Sequence, residues 1–161
     1  MTQNTIIPVL KNGSIEGTLI CEQAHEFAFR VFKWYGQSPF FDAPRGHVVF
    51  SDSERAFRHR NDLGSSRAYS FSPARLAVLL FAEPERTLRV LHHYLLTNEC
   101  TMLVDELKRP FRVIYRTSNK LDMRKHNLRC PAIAEPVHKA PECLPLSERT
   151  LNEILYLQRH G

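Results

Sequence analysis

The chain has 161 residues, 43% of them hydrophobic and 24% charged, with a net charge of +5; this fits one domain with enough apolar material to bury a core without disulfides or a metal. Its longest strongly apolar run, Leu76 to Ala82, falls far short of the roughly 20 residues that cross a bilayer. Met1 to Lys11 also lacks the basic, apolar and small-residue pattern of a secretory signal, so a cytoplasmic protein with no membrane association is expected, and Cys21, Cys100, Cys130 and Cys143 are read as free thiols.

Thr5 to Lys11 and Ser14 to Cys21 read as a β-hairpin across Asn12-Gly13, where both turn positions tolerate positive φ. Pro8 cannot donate to a ladder and argues for an edge strand, and Gly17 marks a bulge. From residue 22 to 35, Phe27, Ala28, Val31, Phe32, Trp34 and Tyr35 follow helical spacing opposite Glu22, Gln23, His25, Glu26, Arg30 and Lys33. Helix is the expectation there, with strand as the alternative because of the aromatic and β-branched content. Gln37 to Arg45 reads as a loop, His47 to Phe50 as a strand, and Ser51 to Glu54 as a capping box before a short helix to about Arg60.

Ser72-Pro73 supplies a cap followed by an N1 proline. Ala74 to Ala82 is then a buried helix, with a buried strand as its alternative, and Glu83-Pro84-Glu85 opens a second helix striped by Leu88, Leu91 and Leu95. Thr101 to Leu107 and Phe111 to Arg116 read as two strands joined at Lys108-Arg109-Pro110. A proline-rich irregular segment, at about 130–146, precedes an amphipathic helix from Ser147 to Arg159. The fold class expected is α+β: a single domain over residues 1–161, with an N-terminal hairpin and a small, mostly antiparallel sheet packed with three to five helices.

Charge is concentrated late in the chain. Between Lys108 and Arg129 there are eight basic residues and one acid, Asp122, a segment charge of +7 that leaves the remainder slightly acidic. As a strand, Phe111 to Arg116 would set Phe111, Val113 and Tyr115 on one face and Arg112 and Arg116 on the other. Lys108, Arg109, Arg112, Arg116, Lys120, Arg124, Lys125 and Arg129 are therefore the candidate phosphate-contacting residues, with Lys120, Arg124, Lys125, His126 and Arg129 on a loop or short helix that forms a flexible basic arm beside the strand. A second basic group, Arg55, Arg58, Arg60 and Arg67 with His59, would enlarge the footprint if folding brings it alongside.

His126, Cys130, His138 and Cys143 are spaced H-x3-C-x7-H-x4-C. Two nitrogen and two sulfur ligands suit tetrahedral zinc, although the tight C-x2-C knuckle of zinc fingers is missing. The chain contains no nucleophile elbow, Walker loop, dinucleotide-binding glycine pattern or H-E-x-x-H. His92-His93 and His25-Glu26 read as structural, since adjacent helical residues point in different directions. Leu146 to Leu151 is similar to the opening of recognition helices in helix-turn-helix regulators, which would place Ser147, Arg149 and Thr150 near DNA. Pro131, Pro136 and Pro141 interrupt the helix such a motif needs before it, so a capped amphipathic helix docked on the core is the reading adopted.

The composite expectation is a non-enzymatic nucleic-acid-binding or regulatory accessory protein that contacts a DNA or RNA backbone through residues 108–129, with no cofactor beyond the zinc that the His/Cys set would hold. The alternative is a protein-interaction module, an inhibitor or adaptor, that docks on an acidic partner.

Overall fold

A computed structural model of the chain describes residues 4–11, 14–35, 45–48, 69–97, 101–136 and 138–141. The second basic group, the capping box at 51–54 and the C-terminal helix at 147–159 lie outside these residues. What is described is α+β, with one hydrophobic core.

The hairpin forms as expected: β1 (Asn4–Lys11) pairs antiparallel with β2 (Ser14–Glu22). Ile7, Val9, Leu19 and Cys21 point into the core while Ile6, Pro8 and Thr18 face out, the period-2 alternation of a half-buried sheet. The register slips between Val9↔Gly17 and Leu10↔Ile15. That bulge adds one residue to β2 beside Gly17 and inverts the parity beyond it, which is why Ile15 is turned outward and is 67% exposed.

The expected edge position of β1 is not found. The sheet runs β2-β1-β3-β4-β5, with β3 Lys33–Tyr35, β4 Arg45–Val48 and β5 Tyr69–Phe71. β1 joins β3 in parallel, but only at Val9↔Trp34 and Leu10↔Tyr35. Pro8 therefore precedes that short ladder, and its missing N–H interrupts nothing on that side. The β3–β4 and β4–β5 pairings are antiparallel.

Residues 22–35 do not form one helix. A 3-10 turn at Gln23–His25 leads into a single α-helical stretch, α1 (Glu26–Arg30), and the chain then enters β3. Phe29, the residue that breaks helical spacing, is fully buried and explains the change. Its ring contacts Trp34, and the Trp34 indole N–H donates to the Phe29 carbonyl at 2.9 Å, satisfying an acceptor at the helix end. Phe32 and Phe71 close the aromatic cluster around Trp34 through edge-on contacts.

The cap and proline at residues 72 and 73 work as read. The Ser72 hydroxyl accepts from the Ala74 amide at the start of α2 (Pro73–Ala82), which is buried over most of its length. α3 (Pro84–Thr97) follows. Thr87 ties the joint, donating from its hydroxyl to the Leu79 and Glu83 carbonyls at 3.1 and 2.8 Å. Thr101–Leu107, expected as a strand, is instead helix α4, which packs on α3 with Leu103, Val104 and Leu107 inward. Those positions are one and four residues apart, a helical stripe too short to show clearly in a seven-residue segment. No helix among the described residues is long and apolar enough to cross a membrane.

Candidate functional site

The basic segment begins at a turn that Arg75 shapes from below. From α2, its guanidinium donates to the carbonyls of Leu107 at 2.7 Å, Phe111 at 3.0 Å and Arg109. The same group lies 4.1 Å over the Phe111 ring. One planar fork thus satisfies three backbone acceptors in residues 107–111, where the chain leaves α4, and fixes the entry into the next strand.

Beyond that turn, exposure alternates. Phe111, Val113 and Tyr115 are half-buried, while Arg112, Ile114 and Arg116 are exposed. The strand reading of residues 111–116 holds for this alternation, but paired backbone is confined to β6 (Ile114–Tyr115). Its antiparallel partner is β7 (Leu128–Arg129), in the register Ile114↔Arg129 and Tyr115↔Leu128. Cross-strand partners share a face. Tyr115 and Leu128 therefore face α2, where the Tyr115 hydroxyl meets that of Ser72 at 3.3 Å, and Arg129 stands out beside Ile114. The outer face of this two-stranded ribbon carries Arg112, Ile114, Arg116 and Arg129.

The connection between the strands is a loop ending in a 3-10 turn at Lys125–Asn127, as the loop-or-short-helix reading expected, but hydrogen bonds fix it where a flexible arm was expected. Asn127, fully buried, accepts at Oδ1 from the Thr117 amide and hydroxyl, and donates from Nδ2 to the Asn119 and Asp122 carbonyls. All the hydrogen-bonding capacity of that amide is directed at one loop. The loop also docks on the free edge of β2, with Ile20 N–H donating to the Leu121 carbonyl at 2.9 Å and Met123 N–H to the Ile20 carbonyl at 2.7 Å. Lys120 and Lys125 are exposed on it.

Two of the expected cations are committed elsewhere. Arg109 is 3% exposed and donates to Glu106 and Glu83 at 2.8 and 2.7 Å, and to the Ala134 carbonyl. Burial opposes its charge, but the two carboxylates outweigh that and hold its pKa above the ordinary arginine value. Arg124 grips both oxygens of buried Asp122 at 2.8 and 2.9 Å. Burial pushes the Asp122 carboxyl up, yet the Arg124 bonds and the charges of Arg124 and His126 prevail and keep it below the usual carboxylate range. Lys108 is exposed at the turn. The side chains of Arg112, Arg116, Lys120, Lys125 and Arg129 have no ion pair with another described residue.

The His/Cys set does not come together over its three described members. His126 lies 3.3 Å from Asp122 and His138 lies 2.8 Å from Asp105, while the Cys130 thiol donates to the Ala132 carbonyl. Cys143 lies outside the described residues, and among these no group of three or more His, Cys, Asp or Glu side chains is placed to hold a metal. His92 and His93 do not form one site: His92 is 4% exposed with neither ring nitrogen hydrogen-bonded, and His93 is half-buried.

Sequence reasoning missed the polar framework under the site. Arg86 binds Glu106 and the His138 carbonyl, so Arg86, Arg109 and the His138–Asp105 pair strap Ala134 and His138 onto α3 and α4. The signal was present in part: Arg75 sits alone inside the apolar run of α2, where an arginine must find acceptors. The partners of Arg86, and Glu83 and Ala134 for Arg109, are 20 or more residues away and left no local trace, while Glu106, three residues before Arg109, lay in a segment read as a strand. The exposed arginines form a surface of charge-assisted donors suited to anionic oxygens. Comparison with family models, curated proteins and solved structures finds no match to this chain.

Proposed function

We propose that the chain is a non-enzymatic nucleic-acid-binding protein that grips the phosphate backbone with the ribbon at residues 111–116 and 128–129 and the loop between them. The observation that carries this reading is the outward face of the ribbon. Arg112, Arg116 and Arg129 surround Ile114 there, and no described carboxylate neutralises them. Arg112 and Arg116 lie two residues either side of Ile114 on its exposed side, with Arg129 across from it, a row suited to successive phosphates rather than to one small anion.

The reading predicts its own salt dependence. Five phosphate contacts, from Arg112, Arg116, Lys120, Lys125 and Arg129, give a slope of log K against log salt of about −4.5 for duplex DNA. Fluorescence anisotropy with a labelled 20-mer over a salt series measures it. Replacing Arg112, Arg116 and Arg129 with Gln should reduce the slope to about −2. Absence of binding at low ionic strength overturns the proposal.

Ile114, 39% exposed among the arginines, favours a second reading, in which the same face docks on an acidic protein through an apolar anchor ringed by Arg. A partner that stays bound through nuclease treatment, and that is released by Ile114→Asp, distinguishes it.

A further inference from the structure

We infer that the polyanion taken by this ribbon is a B-form DNA duplex, in preference to a single strand or an RNA helix; the inference rests on the nucleic-acid reading above. It comes from where the segment's aromatic rings point. Proteins that hold single strands stack bases on exposed aromatic rings next to a basic track. Phe111 and Tyr115 are the phenyl and phenol rings of the basic segment, and both are turned away from the cationic face; the exposed imidazole of His126 lies on the loop, not on the ribbon, 3.3 Å from the Asp122 carboxylate. Phe111 is covered by the Arg75 guanidinium, and the Tyr115 hydroxyl is spent on Ser72. The outward position between the arginines is taken by Ile114, which offers a base no stacking surface.

What the face does offer is a narrow cationic ribbon. Two strands about 4.8 Å apart, with side chains extending from one face, match a B-form major groove about 12 Å wide, which admits a two-stranded ribbon. Arg112, Arg116 and Arg129 reach the flanking phosphates, and Ile114 faces the groove floor, where an aliphatic side chain meets thymine methyl groups. The deep, narrow major groove of an A-form RNA helix excludes the same ribbon. The docking of residues 121–123 on β2, together with the Asn127 clamp, presents this face already formed, so little ordering accompanies binding.

The test measures the full chain by anisotropy against one 20-base sequence prepared as DNA duplex, single-stranded DNA and RNA duplex, at the same low salt. The expected result is binding to the DNA duplex at least tenfold tighter than to either alternative, with Ile114→Asp reducing that preference while circular dichroism remains unchanged. Equal or tighter binding to the single strand or to the RNA duplex overturns this inference and leaves the backbone-binding reading standing. Binding to none of the three overturns that reading itself. A duplex preference that survives Arg112→Glu/Arg116→Glu at full affinity places the contact elsewhere and overturns the assignment to the ribbon.

Discussion

Arg109 donates to Glu106 at 2.8 Å with both side chains almost completely buried, and reaches Glu83 with its other terminal nitrogen. An arginine from the start of a basic run is thus a core residue. Removing one member of a buried ionic cluster leaves the others charged without compensation, at a cost of about 3–5 kcal/mol, whereas an exposed, unpaired arginine contributes within about 0.5 kcal/mol. Arg109→Ala should therefore lower the melting temperature by roughly 10 °C or more, and Arg112→Ala by no more than about 2 °C. Calorimetry of the two variants side by side checks the contrast. Equal melting temperatures would remove Arg109 from the interior.

Two histidines should make the fold sensitive to mild acid. His25 rests edge-on against Phe81 at 4.5 Å and His92 lies 6.0 Å from Phe27, so both imidazoles sit where the 3-10 turn and α1 meet α2 and α3. Nδ1 of His25 and both ring nitrogens of His92 are buried without hydrogen-bond partners. Burial lowers both pKa values, opposed at His25 by the Glu22 charge. A group whose folded pKa is depressed in this way binds its proton more readily in the unfolded chain. Stability is then full above the unfolded value of about 6.5 and declines as pH falls below it, at up to about 1.4 kcal/mol per pH unit for each proton. Trp34, the single tryptophan, reports on this region through its bond to Phe29. Urea unfolding followed by its fluorescence between pH 7.5 and 5 should show the decline, and His92→Leu should flatten it. An unchanged slope in that variant would remove His92 as a source.

How far the sequence carried this picture depends on how local each determinant is. The hairpin, the Gly17 bulge and the cap at Ser72 were legible because each depends on a few adjacent residues with particular backbone or hydrogen-bonding properties. The inward–outward split of residues 111–116 was legible because strand alternation needs no knowledge of the partner. Residues 22–35 were misread because Phe29 and Trp34 answer to each other and to β1, and that tertiary demand overrides helical spacing. The fate of Arg109 was invisible for a related reason. Charge counted along the chain does not reveal that Glu83, 26 residues earlier, will be folded against it.

Asp122 sets a second, more acidic limit. Its carboxylate accepts from the Arg124 amide and guanidinium and lies beside His126. Because its folded pKa is depressed, the stabilisation is complete above the unfolded value of about 3.9 and is lost as pH falls below that toward the folded value. Acid unfolding should therefore have a component below about pH 4 that is absent in Asp122→Asn, which should also be less stable at pH 7. A variant that retains the full acid transition would show that other carboxylates control it.

Asn127 offers a way to separate the shape of the site from its charge. It carries no charge, yet its four hydrogen bonds hold residues 117–122 and immediately precede β7. At about 1 kcal/mol net per bond, with some partners regaining water, Asn127→Ala should destabilise the fold by about 2–3 kcal/mol. It should also speed hydrogen exchange at the Met123 amide, whose acceptor is Ile20. If the ribbon binds duplex DNA as proposed, the variant keeps every cation but must order the loop on binding. Affinity should fall several-fold while the salt slope stays near its wild-type value, since the slope counts phosphate contacts and the intercept registers preorganisation. A reduced slope would mean instead that the loop lysines lose their contacts, and unchanged affinity would mean that the clamp serves stability alone.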